Sequence, residues 1–228
     1  MNSSSDTYVC PTISAWQSSL MDYFSFYVEG VFLCIVGNVG IVANLISSII
    51  ILTRKEMRNC FNILLVGLAA FDTWYLFGAI LESCRKYFPA LKSDLHVQMF
   101  PKFLYPVHQT SIAGSIFMTV AIAFERYTAV HYPMNYNQAL NDQRLMRKRV
   151  IKYLVPVSLL SFAFNIPKFF ESKVDYYQEN NVTLTPYISL TELRTHPSYS
   201  LYNSWSRFFI LGLIPFCSLV FFNTKIYR

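Results

Sequence analysis

The sequence predicts an all-α, polytopic membrane protein, a bundle of five transmembrane helices. Two observations carry this. Hydrophobic residues make up 54% of the 228 residues and charged residues only 14%, against roughly 25% charged in soluble domains, so there is too little charge to cover a water-facing surface. The apolar residues also gather in runs of about 20, the length that crosses the hydrocarbon of a bilayer. The mean hydropathy of +0.32 agrees. This balance excludes a disordered chain, a coiled coil and an ordinary soluble enzyme. The runs are too long, and lack the period-two alternation, for the strands of a β-barrel. Five widely spaced Cys give neither a disulfide framework nor a metal-binding spacing.

Residues 1–25 read as a polar tail without a basic leader segment, so the first helix serves as the insertion signal. Residues 26–228 form the membrane domain, with helices near 28–53, 61–83, 101–128, 149–170 and 205–228. The first carries one Glu near its start and the second has Asp72 at its middle. The fourth has Lys152 and Lys168 near its two ends, and Trp205 and Tyr227 stand where they would anchor the fifth. The polar stretch from Glu171 to Arg207, rich in Tyr and Thr, is the longest segment between helices.

Basic residues set the orientation. With the N-terminus outside, the inner segments hold 11 basic residues against three acids, and the outer segments hold 8 against 9. The sequons at Asn2 and Asn181 then both fall outside, as glycosylation requires.

Two groups of residues stand out. Asp72 lies mid-helix in apolar surroundings, where an ionised carboxylate must be paired, hydrated or bound to a cation. It is either a protonated, hydrogen-bonded side chain or an ion or proton site, with Asn44 and Ser115 as partners. Glu125-Arg126-Tyr127 closes the third helix at the inner face. The simple reading is that Arg126 belongs to the positive inner rim and Glu125 neutralises it.

Spacing adds to this. Asn44 lies in helix one, Leu68-x-x-x-Asp72 in helix two and Ser115 about 16 Å above Arg126 on helix three. Glu125-Arg126-Tyr127-x-Ala129-Val130-x-x-Pro133 follows, and Pro215 interrupts helix five. In order and together, this set resembles the rhodopsin-like (class A) G-protein-coupled receptors, a seven-helix fold. Three finer stretches are similar to the FMRFamide-receptor-like group of neuropeptide receptors. They are Met57-Arg58-Asn59-x-x-Asn62-x-Leu64-Leu65-x-Gly67-Leu68-Ala69-x-x-Asp72-Thr73, then Asn165-Ile166-Pro167-Lys168-Phe169-Phe170-Glu171, then Asn223-Thr224-Lys225-Ile226.

The resemblance implies roles by position. Asp72 and Ser115 match two ligands of an allosteric sodium site, and Asn44 matches its water network. Glu125 and Arg126 match an inner ionic pair whose Arg is released on activation to open the G-protein cavity. No other cofactor is implied. The implied partners are an extracellular peptide, a heterotrimeric G protein, the lipid membrane and, for a shortened form, a full-length receptor in an oligomer. The implied location is the plasma membrane, multi-pass, with the N-terminus extracellular.

The chain departs from the pattern in two places. Many such receptors tie the top of helix three to the second outer loop by a disulfide. The matching position is Pro101, and no Cys occurs in the polar stretch from Glu171 to Arg207. The usual Trp of helix four is missing too. Cys10 and Cys84 share the outer side and either pair or remain separate thiols. Where amine receptors carry an Asp, this chain has His108 followed by Gln109, which disfavours an amine. An amidated peptide fits better, because Gln both donates to and accepts from an amide. Glu82, Glu171 and Glu192 are outer carboxylates able to meet a peptide arginine, or else solvated loop charges.

The resemblance implies two helices beyond Arg228. The 228-residue form is therefore expected to be a fragment, an incomplete gene prediction or a shortened isoform. Alone it is expected not to signal, but to regulate a full-length partner or to be retained in the endoplasmic reticulum. Other classes fit less well. A transporter using Asp72 would be expected to show repeats and broken helix pairs. An enzyme would cluster its chemistry, whereas His96, His108, His131 and His196 scatter over both faces. The basic residues sit at the membrane rim and call for no nucleic acid.

Overall fold

The computed structural model describes residues 14–88, 93–134, 142–179 and 183–227. The sequon asparagines Asn2 and Asn181, and Cys10, lie outside the described residues. Five long helices are apolar enough to cross a membrane: α1 Trp16–Thr53, α2 Cys60–Tyr87, α3 Asp94–His131, α4 Gln143–Phe170 and α5 Pro197–Tyr227. All five expected helices are present. Several run further than expected, because hydropathy marks only the lipid-embedded part of a rod. The extra turns are polar or aromatic, as in Pro-Ser-Tyr-Ser-Leu-Tyr-Asn at the head of α5. Helix α1 reaches into the stretch read as tail, where Ser14 caps it and Gln17 closes a reciprocal capping box.

The all-α expectation needs one addition. Between α4 and α5 an antiparallel hairpin pairs β1 (Ser172–Glu179) with β2 (Thr183–Leu190), Ser172 opposite Leu190. The segment is rich in Tyr, Thr, Val and Ile, which favour strands. Tyr177 and Tyr187 pack 5.7 Å apart across the two strands.

Helix α3 is the central rod. It buries Pro106, Ser111, Ala113, Gly114, Met118, Ala121 and Glu125 and packs on α2, α4 and α5. Leu64 and Cys60 of α2, Met118 of α3 and Val150 and Val157 of α4 form the core. Helix α1 packs on α2. There the Ser83 hydroxyl donates to the Glu29 carbonyl at 2.7 Å, and Lys86 meets the Glu29 carboxylate at 2.8 Å. Helix α5 meets α3 through Phe222, 5.3 Å from Phe124 and 5.6 Å from Tyr127. The outward faces, such as Val36, Val39, Ile46 and Ile49 of α1, are exposed and apolar. A bilayer satisfies such a face; water does not.

Helices α1, α3 and α5 each widen into a π-helical stretch on the hairpin side, at Phe26–Phe32, Phe100–Leu104 and Phe208–Leu213. In α3 and α5 these stretches adjoin Pro106 and Pro215, whose missing N–H disturbs the regular ladder.

Two helical glycines mark close approaches. A Cβ on Gly114 would lie 2.4 Å from ring carbons of Phe71, and one on Gly78 would lie 2.6 Å from the His108 ring nitrogen. Gly114 therefore lets α2 and α3 touch, and Gly78 makes room for His108. Replacing Gly114 by Ala should cost about 1–3 kcal/mol through overpacking. The check is the melting temperature of the detergent-solubilised chain, which should fall for Gly114→Ala and stay unchanged for Ala substituted at Gly212, where nothing lies within 4 Å.

Candidate functional site

At the hairpin end, α2 and α3 enclose a cavity of about 170 Å³. Its wall includes Glu82, His96, Tyr105, His108 and Gln109. Three of the five residues expected near a ligand, Glu82, His108 and Gln109, therefore meet here. His108 stacks on Tyr75 with ring centroids 4.8 Å apart. Among the described residues the buried His108 Nδ1 and His96 Nε2 have no hydrogen-bond partner. Gln109 accepts from Arg207 of α5 at 2.6 Å. Glu82 is paired with Arg85, one turn away on α2. Arg85 also lies over the Phe100 ring, 4.9 Å from its centroid.

Glu171 does not, and corrects the sequence reading. It is fully buried and saturated by this chain's own donors, so it is not open to a ligand. Lys168 donates to it at 2.5 Å, and the hydroxyls of Tyr105 and Tyr199 donate at 2.7 Å each. Arg194 completes an ion pair with the same carboxylate and donates to the Tyr105 hydroxyl at 3.0 Å. Lys168 reaches on to Asn203 of α5 at 2.7 Å. The Glu171 backbone carbonyl accepts from Thr191 at 3.1 Å, closing the base of the hairpin. Burial by itself would push the Glu171 carboxyl up. The hydrogen bonds from Lys168, Tyr199 and Tyr105 overcome this and hold it at about 2, below its usual 4.5. Glu192 is exposed in a single helical turn, Glu192–Thr195.

At mid-depth the Ser115 hydroxyl donates to Asp72 at 2.5 Å, joining α3 to α2. Among the described residues the Asn44 side chain forms no direct hydrogen bond to either. Its backbone carbonyl accepts from Ser48.

The far end of α3 differs from expectation. Glu125 is fully buried and pairs with Arg149 of α4 at 3.0 Å, not with Arg126. Thr128 shares the Arg149 guanidinium at 3.1 Å. The reason is helical geometry: adjacent residues lie about 100° apart, so Glu125 faces α4 while Arg126 points to another sector. Arg126 lies over the Phe61 ring of α2, 3.2 Å from its centroid. It is exposed and lines a hollow of about 510 Å³ with Thr119, Ala123, Leu219 and Asn223. Tyr127 packs against His131 at 4.5 Å.

Sequence reasoning missed Arg149, Arg194, Tyr105 and Tyr199. The i, i+3 spacing of Lys168 and Glu171 was a visible signal of the first pair. Arg149 was hidden among the rim cations.

The family model for the seven-transmembrane receptors of the rhodopsin family matches residues 43–228. The chain belongs to this family.

Among its relatives is the FMRFamide receptor of Drosophila melanogaster, 31% identical over 212 residues, covering 89% of this chain and 37% of that protein. A probable G-protein coupled receptor of Caenorhabditis elegans is 22% identical over 207 residues, 85% of this chain and 44% of the relative. The trissin receptor of Drosophila melanogaster is 28% identical over 130 residues, 57% and 18% respectively. The chain thus spans less than half the length of these relatives. Within the rhodopsin family it resembles the FMRFamide receptor group.

For this family member the Glu171 cluster yields a sharp expectation. Glu171→Gln leaves Lys168 and Arg194 without their anion, and loss of one buried partner costs about 3–5 kcal/mol. A carboxyl depressed in the folded state stabilises fully above its unfolded value of 4.5, and that contribution is lost as pH falls toward about 2. The melting-temperature gap between wild type and Glu171→Gln should hold constant from pH 7 to about 5, then shrink below it. A gap already closed at pH 5 would contradict the cluster's ionisation.

Proposed function

We propose that this chain is the membrane domain of a neuropeptide receptor at the plasma membrane, with its N-terminus outside and its Arg126 end facing a heterotrimeric G protein. The ligand is an amidated, FMRFamide-like peptide. The cavity at the hairpin end carries the reading. It brings His108 and Gln109 of α3 and Glu82 of α2 around one cavity, and an amide end needs such mixed donors and acceptors. The match to an FMRFamide receptor supports the ligand class. The excess of basic residues at the Arg126 end supports the orientation. Arg126 lies over an aromatic ring and, among the described residues, pairs with no carboxylate, so it is within reach of a partner.

The test uses the complete coding sequence that contains this chain, expressed in cells with a G-protein activation readout. An amidated FMRFamide-type peptide should activate, and its free-acid form should need at least about tenfold more, the worth of one hydrogen bond to a charged group. Gln109→Leu and Glu82→Gln should each raise the half-maximal dose by a similar factor. Equal potency of amide and acid, or a response to amines alone, would sink the proposal.

We further assign a sodium ion to Asp72 and Ser115. A carboxylate and a hydroxyl oxygen are hard donors that suit such a cation, and the rest of its shell would come from water or other oxygens. Replacing choline chloride with sodium chloride should raise the chain's melting temperature, reflecting a stabilisation of about 1.4 kcal/mol at ten times the dissociation constant. Asp72→Asn should abolish that increment.

A further inference from the structure

Helices α3, α4 and α5 line an open groove of about 760 Å³. Phe117, Phe124, Leu160, Phe164 and Ile214 are among its walls, and of the residues lining it Lys152 alone is charged. On α4 the groove runs from Lys152 to Phe164, twelve residues or about 18 Å. That is close to one leaflet, half of a hydrocarbon core about 30 Å thick. Lys152 stands at its Arg126 end, where a long stem lies along apolar surface and the ammonium reaches the head groups. Lys148, four residues before Lys152 on α4, continues the same stripe beyond the groove. Both lysines are exposed. Among the described residues neither is in an ion pair. On α3, the carboxylate of Glu125 is taken by Arg149 of α4.

We infer that this groove is a binding site for an anionic phospholipid, with an acyl chain along α4 and the head group on Lys148 and Lys152. The stripe is amphiphilic in the order a lipid requires: two cations, then apolar wall to the depth of one leaflet. A zwitterionic head group gains less, because its own ammonium is repelled by the two lysines that would hold its phosphate. A sterol hydroxyl is neutral and has no use for two lysines. In the orientation proposed above the site faces the cytoplasmic leaflet, where anionic lipids reside.

The test is independent of signalling and of orientation. The full chain is placed in nanodiscs with equal phosphatidylserine and phosphatidylcholine in both leaflets, and the lipids retained on release are counted by native mass spectrometry. Phosphatidylserine should be retained over phosphatidylcholine, and Lys148→Gln and Lys152→Gln should each lower the ratio about fivefold until it reaches parity. Ala163→Phe fills the groove without touching a charge and should reduce retention of both lipids. Arg144→Gln with Arg147→Gln should leave the preference intact. Parity in the wild type overturns the proposal. So does a preference that follows Arg144 and Arg147, which would mark diffuse rim charge, or a sterol that displaces the phospholipid.

Discussion

The hairpin end depends on one buried carboxylate. Glu171 stands at the point where α4 ends and β1 begins, and its donors come from α3, α4, α5 and the turn after β2. Ionised and fully buried, it would be prohibitively costly without them. Each of those segments is therefore held to a position that satisfies it. Many rhodopsin-like receptors tie the outer loop to helix three by a disulfide. Here Pro101 stands at that place, and Tyr105, one turn along α3, makes the connection instead. The two devices differ physically. A disulfide acts chiefly by restricting the unfolded chain. A buried ion cluster adds little net stability but admits few alternative packings without stranding a charge. The hairpin is thus fixed by satisfaction of charge, and its strength depends on ionisation and not on redox state.

The same logic governs the other end, with a different outcome. Glu125 is again buried and again needs a cation, but the cation belongs to α4. Arg149 ties α3 to α4 and relieves Arg126 of that duty. Arg126 rests on Phe61, a contact worth about 0.5–1 kcal/mol at an exposed site. That is far less than the cost of removing a buried partner. Of the two neighbouring residues, Glu125 is locked and Arg126 is loosely held, although the sequence sets them side by side.

The helices were legible in the sequence because the bilayer imposes a length and a polarity that no other constraint mimics. Asp72 and Ser115 were legible as a pair because their residue types and depths are both visible in one dimension. Glu125 was legible as important and wrong in partner. Which cation a buried carboxylate meets depends on helix rotation, and Arg149 looked like any other member of the rim cluster. Glu171 failed the same way: taken as an outer charge open to a ligand, it is enclosed by residues 66 positions before and 28 after it. The hairpin was missed because tyrosines and threonines in a polar stretch read as loop until their cross-strand partners are known.

Helix α3 carries these polar contacts at three depths. Tyr105 meets Glu171, Ser115 meets Asp72, and Glu125 meets Arg149. The positions are ten residues apart, about 15 Å along the axis, so they lie near the hairpin rim, the middle and the far rim. Between them the rod is buried small residues and Met118, which resist compression. A rigid rod with three short-range contacts cannot turn or slide to ease one without loading the other two. A rotation of about 20° at a radius near 5 Å moves a side chain by nearly 2 Å, enough to break a hydrogen bond. Any displacement of α3 at one end is therefore felt at the other as a lost or remade polar contact, whereas a movement of Arg126 on Phe61 leaves all three in place. The geometry separates a stiff axis, which sets the bundle, from a loosely held cation, which is free to change partner.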